Sequence, residues 1–576
     1  MTALAWSLLL VPLAPGTLAL IALVLGKRGP AGAFAIAGPL PAAAVGFLSP
    51  LGTVEYPWLF LGARLGLDET DALFLSFTAL VWLVAGVFAY AWLRGSDRHR
   101  FFVFFLLSMA GNLGALVAQD LPGFYACFAL MSFAAYGLVI HSGSARAKHA
   151  AQVYIVLVLI GEAALLVAML MAAGHVGSAD FAGIRAGLAR LPDMDLVIAF
   201  AVLGFGIKAG APILHVWLPL AHPVAPAPAS AVLSGTMIAT GLVGWLRFLP
   251  VGELMMPAWG AAFIIVGFGA AFYGAFVGLD QREPKVLLAY SSVSQMGIMT
   301  VGVGANLLAP AMADALVLAV AFFALHHGLA KSALFLGAGL ASTDIPGRRR
   351  TFLAWGLALP SLALAGAPLT SGTLAKSALL AGDVTLPEHW SRLLHVMLPL
   401  TSVATTLLMA RFLALIVSER GEGARHNTRL AWGAWVAAVI LAVTLPWALI
   451  PAGADQPTLQ SSLAAAWPLA VALLLASGGL WIWRRAGRPA IPMVPAGDIL
   501  AAFERSLAGA RRALLFAVEL VRVPRDSLRA RAAQERHRAW IGVVSLGRME
   551  GWLNRWQVAL LLLLVLGAGL ALLSAG

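Results

Sequence analysis

Residues 311–340 read AMADALVLAVAFFALHHGLAKSALFLGAGL, a long apolar run that carries a lysine, Lys331, near its middle. About 20 apolar residues are the length that an α-helix needs to cross roughly 30 Å of hydrocarbon. A lysine at mid-membrane is costly, so it must face the interior of a helical bundle and find a partner or water there. His327 precedes Lys331 by one helical turn, which places both side chains on one face. The run predicts a buried membrane helix with titratable groups inside it.

Runs of this kind recur from one end of the chain to the other. The 576 residues are 61% hydrophobic and 11% charged, and their mean hydropathy is +0.89. A soluble domain of this length could not bury so much apolar surface. The runs do not alternate apolar and polar residues, as the strands of a β-barrel would. The composition therefore predicts an all-α polytopic membrane protein.

We predict about sixteen transmembrane helices, two of them interrupted. Their ranges are 3–25, 31–49, 72–93, 101–118, 121–141, 150–173, 194–214, 229–249, 258–279, 286–304, 311–340, 352–382, 394–417, 430–450, 462–483 and 556–574. The seventh runs into Pro212 and Pro219, and the twelfth contains PLTSG at 368–372. Proline removes a backbone donor, and such breaks are tolerated at membrane depth only beside protein or a wet cavity. Both breaks are therefore candidate transport sites.

The basic residues predict the orientation. When successive loops are assigned to alternate sides, most of the 38 Lys and Arg residues fall on one side. The other side receives Arg64, Arg185, Arg190, Arg247 and Arg392. The positive-inside rule makes the richer side cytoplasmic and puts both termini on the opposite side of a bacterial inner membrane. The first run lacks a basic n-region, so we expect a retained helix rather than a signal peptide. The net charge of +12 then indicates membrane orientation and not nucleic-acid binding.

The segment 496–540 differs from the transmembrane runs, because arginines separate apolar residues that recur at helical spacing. This pattern predicts a cytoplasmic amphipathic lateral helix. It serves either as an anchor on the membrane surface or as a brace against a partner subunit. The predicted organisation is N-terminal helices at 1–118, a channel core at 119–417, additional C-terminal helices at 418–495, the lateral helix at 496–555 and a last transmembrane helix at 556–576.

Several further charged groups lie within the predicted spans. Lys208 comes just before the break in the seventh span, and Lys376 follows the break in the twelfth. Each lysine either lines a polar path or snorkels to the interface from near a helix end. Glu162 lies deep in the sixth span, as the counter-ion of a lysine or as a neutral group with a local hydrogen bond. Arg411 is predicted to snorkel, and Cys127 to pack. One cysteine cannot hold an iron–sulfur cluster, so we expect no cofactor in this chain.

Several motifs resemble one known family as a set. They are LHVWLPLAHPVAPAPASA at 214–231, SGTMI at 234–238, LAYSSVSQMG at 288–297 and HGLAKSALFLGAG at 327–339. Together they resemble the antiporter-like membrane subunits of complex I, of the multisubunit cation/proton antiporters and of membrane-bound hydrogenases. The first two most resemble the formate-hydrogenlyase type. The span count and the lateral helix are similar to those of the distal subunit of complex I.

The resemblance implies a hydrated axis of buried groups that passes protons across the membrane. Redox chemistry in other subunits would drive this movement. The family positions for this axis match Lys208, His327, Lys331 and Lys376. The predicted proton pathway also includes Glu162, His326 and His222.

Two positions depart from the family pattern. The resemblance implies a fifth-helix glutamate that pairs with the seventh-helix lysine, and a lysine in the eighth helix. Ala129 and Ala239 stand at these positions. Without the first acid, Lys208 loses its expected partner. Two mechanisms stay open, namely a channel that conducts with the help of Glu162 or a neighbouring subunit, and a degenerate scaffold that does not conduct.

The leading functional hypothesis is a proton-translocating membrane subunit of a complex I-like redox complex, such as a membrane-bound hydrogenase or an NADH/quinone oxidoreductase. Other membrane subunits and a redox module with iron–sulfur, hydrogenase or quinone-type subunits would be its partners. The alternatives are a subunit of a multisubunit cation/proton antiporter or of an energy-coupled inorganic-carbon transporter, and the scaffold. No Walker loop, Rossmann fingerprint, cysteine cluster or serine triad is visible. We therefore expect no metal site and no catalytic residue in this chain, which would be a non-catalytic subunit of an oxidoreductase.

Overall fold

The computed structural model describes residues 2–59, 62–95, 97–381, 385–418, 429–450, 465–486 and 494–500. The chain divides into two compact units, one of residues 1–55 and 63–497 and one of residues 56–62 and 498–576. The predicted lateral helix beyond residue 500 and the last predicted span lie outside the described residues.

The first unit is a bundle of α-helices. These are α1 (Ala3–Leu25), α2 (Ala31–Ala37), α3 (Leu40–Leu48), α4 (Glu69–Trp92), α5 (Arg98–Val117), α6 (Leu121–Val139), α7 (Ala145–Val176), α8 (Phe181–Leu188), α9 (Met194–Ala209), α10 (Trp217–Val224), α11 (Ala227–Val232), α12 (Ile238–Phe248), α13 (Pro257–Leu279), α14 (Pro284–Leu308), α15 (Ala313–Ala341), α16 (Gly347–Ala365), α17 (Ser371–Ala381), α18 (Glu388–Ser418), α19 (Arg429–Ala448) and α20 (Ala466–Ala486). Among the described residues, 13 helical segments are long and apolar enough to cross a membrane. The all-α polytopic class is thus confirmed, while the total number of spans stays a prediction.

Both predicted helix breaks are present. The seventh span ends at Gly210, whose φ is 69°, and resumes as α10. The twelfth span divides into α16 and α17. The connections hold two non-glycine residues with positive φ, Ile213 at 71° and Leu369 at 58°. A β-branched residue with positive φ is a strained backbone position, and such strain tends to cluster at functional sites.

The N-terminal region contains features that the sequence analysis did not predict. The second predicted span is two helices, α2 and α3, with the break at Gly38 and Pro39. Prolines at 39 and 41 lack the N–H groups that would continue the helical hydrogen bonds. Two short strands, β1 (Gly52–Tyr56) and β2 (Ala63–Leu67), then form a small sheet before α4. Both strands are too short to stand out beside the long apolar runs.

The centre of the bundle is formed by α14, by α15 and by the segment Ala227–Phe248. The most apolar windows of α14 and of this segment are entirely buried. A five-residue π-helical segment, Leu233–Met237, joins α11 to α12. A Cβ atom at Gly328 of α15 would lie 2.4 Å from the carbonyl oxygen of Gly235, so the two backbones are in contact. The π segment therefore lies directly against the part of α15 that carries His327.

Candidate functional site

A small internal pocket, called here the α7 pocket, lies where α6, α7 and α9 meet the start of α10. Its lining residues are Phe128, Ser132, Tyr154, Val158, Gly161, Glu162, Gly204, Ile207, Lys208 and Trp217. Glu162 is 5% exposed and Lys208 is 3% exposed. The structure thus brings together the acid and the base that the sequence analysis could not place relative to each other.

The Lys208 ammonium group is held by aromatic residues and a hydroxyl. Its Nζ atom donates a hydrogen bond to the Tyr154 hydroxyl at 3.1 Å, and that hydroxyl donates to the Ser132 carbonyl oxygen at 2.8 Å. The same ammonium lies 5.8 Å from the ring centroid of Phe128 and 5.4 Å from that of Tyr154. Both distances suit a cation–π contact. Lys208 therefore faces the interior of the bundle and does not snorkel.

The Glu162 carboxyl group lines the same pocket as Ser132 and Lys208. It interacts electrostatically with Lys208 and with the Ser132 hydroxyl. Its Oε2 atom is buried and accepts no hydrogen bond from the described residues. Ala129, one turn before Ser132, lies on the same face of α6 and is half-buried.

The second group of titratable residues lies at the middle of α15. Lys331 is fully buried, and its Nζ atom donates to the Leu288 carbonyl oxygen of α14 at 2.8 Å. His327 interacts with Lys331 and lies against the backbone of Ser234 in the π segment. π-Helical turns are rare and occur frequently at functional sites. The shared face predicted for His327 and Lys331 is consistent with these contacts.

The third group lies at the break of the twelfth span. Lys376 donates to the Ser402 hydroxyl of α18 at 2.5 Å. His326 of α15 contacts the hydroxyl of Ser371, the first residue of α17, through Nδ1 at 2.8 Å. His326 and Lys376 also interact electrostatically. The two adjacent histidines of α15 therefore face different groups, with His327 beside Lys331 and His326 beside Lys376.

Two further histidines lie against aromatic residues of the neighbouring helices. His215, in the break after α9, lies 6.2 Å from the ring of Tyr290 between ring centroids. Tyr290 is two residues beyond the α14 carbonyl that receives Lys331. His222 of α10 stacks on Phe335 at 4.5 Å and interacts electrostatically with Lys331. Polar and aromatic groups thus extend from the α7 pocket to α15.

Sequence reasoning missed several further polar members of the site. They are Ser132, Tyr154, His215, Tyr290, Ser371 and Ser402. For Tyr154 a signal was available, because it lies eight residues before Glu162 and such residues share one helix face. The serines carry no such signal, since single serines are common throughout apolar helices.

A neutral network occupies the place where the family pattern has its eighth-helix lysine. Ala239 is buried. The hydroxyl of the next residue, Thr240, accepts a hydrogen bond from Asn112 Nδ2 at 2.7 Å. Asn112 Oδ1 in turn accepts one from Trp82 Nε1 at 2.8 Å. The structure therefore shows polar but uncharged groups beside Ala239.

One buried ion pair was also missed. Arg247, which the charge count assigned to the non-cytoplasmic side, lies in the last turn of α12, and its side chain is only 8% exposed. Its Nη2 atom lies 2.5 Å from Asp71 Oδ1 of α4. At the end of α5, Nη1 of Arg247 donates to the carbonyl oxygens of Ala115 and Ala118, and Nη2 donates to that of Leu116. Charge counting could not reveal this pair, since its members lie far apart in sequence.

Metal binding has no support in the described part of the chain. No group of three or more His, Cys, Asp or Glu residues there is arranged to hold a metal ion. The titratable groups are instead spaced one after another through the bundle, each beside a hydroxyl, a carbonyl or an aromatic ring. This arrangement can bind and release protons.

A helical bundle with two broken helices and buried lysines defines an antiporter-type membrane subunit. Residues 118–405 match the family described as NADH:quinone oxidoreductase/Mrp antiporter, TM, and the chain belongs to that family. It is 31% identical over 295 residues to hydrogenase-4 component B of Escherichia coli strain K12, covering 49% of this chain and 44% of that protein. It is 31% identical over 350 residues to NADH-quinone oxidoreductase subunit N of Desulforudis audaxviator strain MP104C, covering 57% of this chain and 67% of that protein.

The fold is also similar to that of a solved structure, the Mrp complex from Dietzia sp. DQ12-45-1b. The TM-score is 0.71 at 20% identity, over 94% of this chain and 63% of that chain. This shows a common fold. The chain spans about half the length of the first curated relatives that it matches. The predicted family resemblance is confirmed.

Proposed function

We propose that this chain is the proton-translocating, antiporter-like membrane subunit of a complex I-like redox complex. The observation that carries the proposal is the set of three buried lysines, Lys208, Lys331 and Lys376. Each donates to a neutral oxygen, and none forms a salt bridge among the described residues. The proton affinity of such an amine depends strongly on nearby charges.

The contacts suggest an order for proton transfer. Lys208 in the α7 pocket comes first. It is followed by His215, in the break after α9, and by Tyr290 of α14. Lys331 and His327 come next, and His326 then passes the proton through the hydroxyl at the start of α17 towards Lys376. Water would complete the steps between groups that are not in contact. A charge that moves onto one lysine raises the cost of charging the next, which favours transfer in sequence.

The names of two relatives support a redox partner. One is a hydrogenase component and the other is a subunit of an NADH-quinone oxidoreductase. We propose that the chain assembles with other membrane subunits and with an iron–sulfur, hydrogenase or quinone-type module. The basic loops would face the cytoplasm and both termini the opposite side, as the positive-inside rule predicts.

A lysine-to-methionine change at 331 tests the proposal. Methionine is of similar length and uncharged, so Lys331→Met removes the transferable proton and a buried charge without opening a large cavity. In everted vesicles energised by the substrate of the co-purified redox module, we expect redox-driven proton uptake to be lost while the subunits still co-purify. Lys148→Met, at an exposed lysine near the start of α7, is the matched control. Wild-type proton uptake in Lys331→Met would overturn the proposal.

A second candidate function is a subunit of a cation/proton antiporter or of an inorganic-carbon transporter. It is supported by the family description, which includes Mrp antiporters. Gentle solubilisation and mass spectrometry of the co-purified chains separate the candidates. Iron–sulfur or hydrogenase-type chains support the redox complex, whereas small antiporter subunits or a soluble zinc protein support transport driven by an existing gradient.

A further inference from the structure

We propose that Glu162 of α7 replaces the acid that is absent at position 129 and acts as the counter-ion of Lys208. The inference rests on the proposed proton-translocating function. In the α7 pocket, the carboxylate that interacts with Lys208 would then come from α7 and not from α6.

The first support is the position of Glu162 relative to Ala129. Residues 125, 129 and 132 follow one another on one face of α6 at helical spacing. Both outer members lie next to Glu162. The Tyr125 hydroxyl donates to its backbone carbonyl oxygen at 3.4 Å, and Ser132 lines the α7 pocket together with the Glu162 side chain. Glu162 therefore lies next to the face of α6 that carries Ala129.

The second support is the close packing of α7 on α9. A Cβ atom at Gly204 would lie 2.8 Å from the carbonyl oxygen of Gly161, so the two backbones touch there. Gly161 directly precedes Glu162, and Gly204 lies one turn before Lys208. The two glycines thus bring the acid-bearing and lysine-bearing turns together.

The third support is the hydrogen bonding of the two charged groups. A buried carboxylate is costly unless it is paired, yet Glu162 Oε2 accepts no hydrogen bond from the described residues. Lys208 meanwhile donates to the neutral hydroxyl of Tyr154. The ammonium therefore has two partners within one pocket, the hydroxyl that it contacts here and the carboxylate beside it. Movement between them would change how strongly Lys208 holds its proton, which is what coupling through an ion pair requires.

Variants that remove the carboxylate at position 162 of α7 and introduce one at position 129 of α6 test the inference. In the full complex we compare redox-driven proton uptake for Glu162→Gln, for Glu162→Gln with Ala129→Glu, and for Glu162→Gln with Ala129→Gln. The last variant is a matched control, since glutamine has the size of glutamate without the charge. Co-purification of the other subunits reports assembly.

We expect Glu162→Gln to assemble and to lose proton uptake by about tenfold or more, the effect of about one pKa unit of lost interaction. The Ala129→Glu double variant should recover most of that loss, and the Ala129→Gln double variant should not. A rescue of this kind depends on charge, and a purely structural role for Glu162 would not produce it.

Four outcomes would overturn the inference, the last of which applies when Glu162→Gln does not assemble. Full activity of Glu162→Gln combined with an inactive Lys331→Met would refute the counter-ion role and leave the proposed function standing. Equal recovery with glutamine and glutamate at 129 would refute a role of charge, and no recovery with either would refute the replacement. If Glu162→Gln does not assemble, Ala129→Glu alone is made in the wild-type chain. A second carboxylate should then shift the pH of half-maximal proton uptake upward, and an unchanged pH profile would contradict the inference.

Discussion

Replacement of Arg247 by methionine should destabilise the protein more than any change to a surface ion pair. Arg247 and Asp71 are nearly fully buried, and removal of one partner of a buried pair costs about 3–5 kcal/mol, since the other charge is left unpaired. Asp71 would keep two donors, Gln119 Nε2 at 2.6 Å and the backbone N–H of Asp68 at 3.4 Å. The expected loss is therefore near the lower end, about 3 kcal/mol. The carbonyl oxygens at the end of α5 would lose their donor as well.

The double variant Arg247→Met with Asp71→Asn isolates the pair. Replacing both charges by neutral groups is often close to neutral for stability, so the double variant should recover more than half of the loss. The free energy of unfolding can be measured by denaturant titration in mixed micelles, with the fluorescence of the 18 tryptophans as the signal. Arg392→Met is the control, because Arg392 and its partner are 75% and 78% exposed and such pairs contribute about 1 kcal/mol or less. An equal loss in Arg247→Met and Arg392→Met would refute the reasoning.

Two further changes test the pocket and the packing around it. Tyr154→Phe removes the hydroxyl that accepts from the lysine of the α7 pocket; redox-driven proton uptake in vesicles should fall while the subunits still co-purify, and unchanged uptake would show that this hydroxyl is dispensable. Gly328→Ala would place a Cβ atom 2.4 Å from the carbonyl oxygen of Gly235, and such overpacking costs about 1–3 kcal/mol. Gly269→Ala meets nothing within 4 Å and should leave the unfolding free energy nearly unchanged; equal losses in the two glycine variants would contradict the close approach.

The helix breaks could be predicted from the sequence, because proline acts locally on its own helix. Pro212 and the PLTSG run at 368–372 marked both interruptions, and both are present. The π segment Leu233–Met237 could not be predicted, because it depends on a close approach between its backbone and α15. The small β-sheet was missed because strands of five residues give only a weak periodic signal beside the long apolar runs.

The candidate site was predictable where its members lie on one helix. One turn separates His327 from Lys331, so helical periodicity alone placed them together. The proximity of Glu162 to Lys208 depends instead on tertiary packing between α7 and α9, which a single sequence does not encode in any local pattern. The buried pair of Arg247 with Asp71 was missed because a count of charges by side records no partner for an arginine near a span end.

A carboxylate on α7 can replace one on α6 in this pocket, because the attraction between the carboxylate and Lys208 depends on charge and distance more than on direction. At an effective dielectric constant of about 20, two unit charges attract by about 4 kcal/mol at about 4 Å and still by about 3 kcal/mol at about 6 Å. A hydrogen bond, by contrast, does not form at about 6 Å. Next to Ala239 in the sequence, Thr240 is hydrogen-bonded to Asn112, and both side chains are uncharged. The proposed charge coupling therefore applies to the α7 pocket, whereas a proton path beside position 239 would use hydroxyl and amide groups or water.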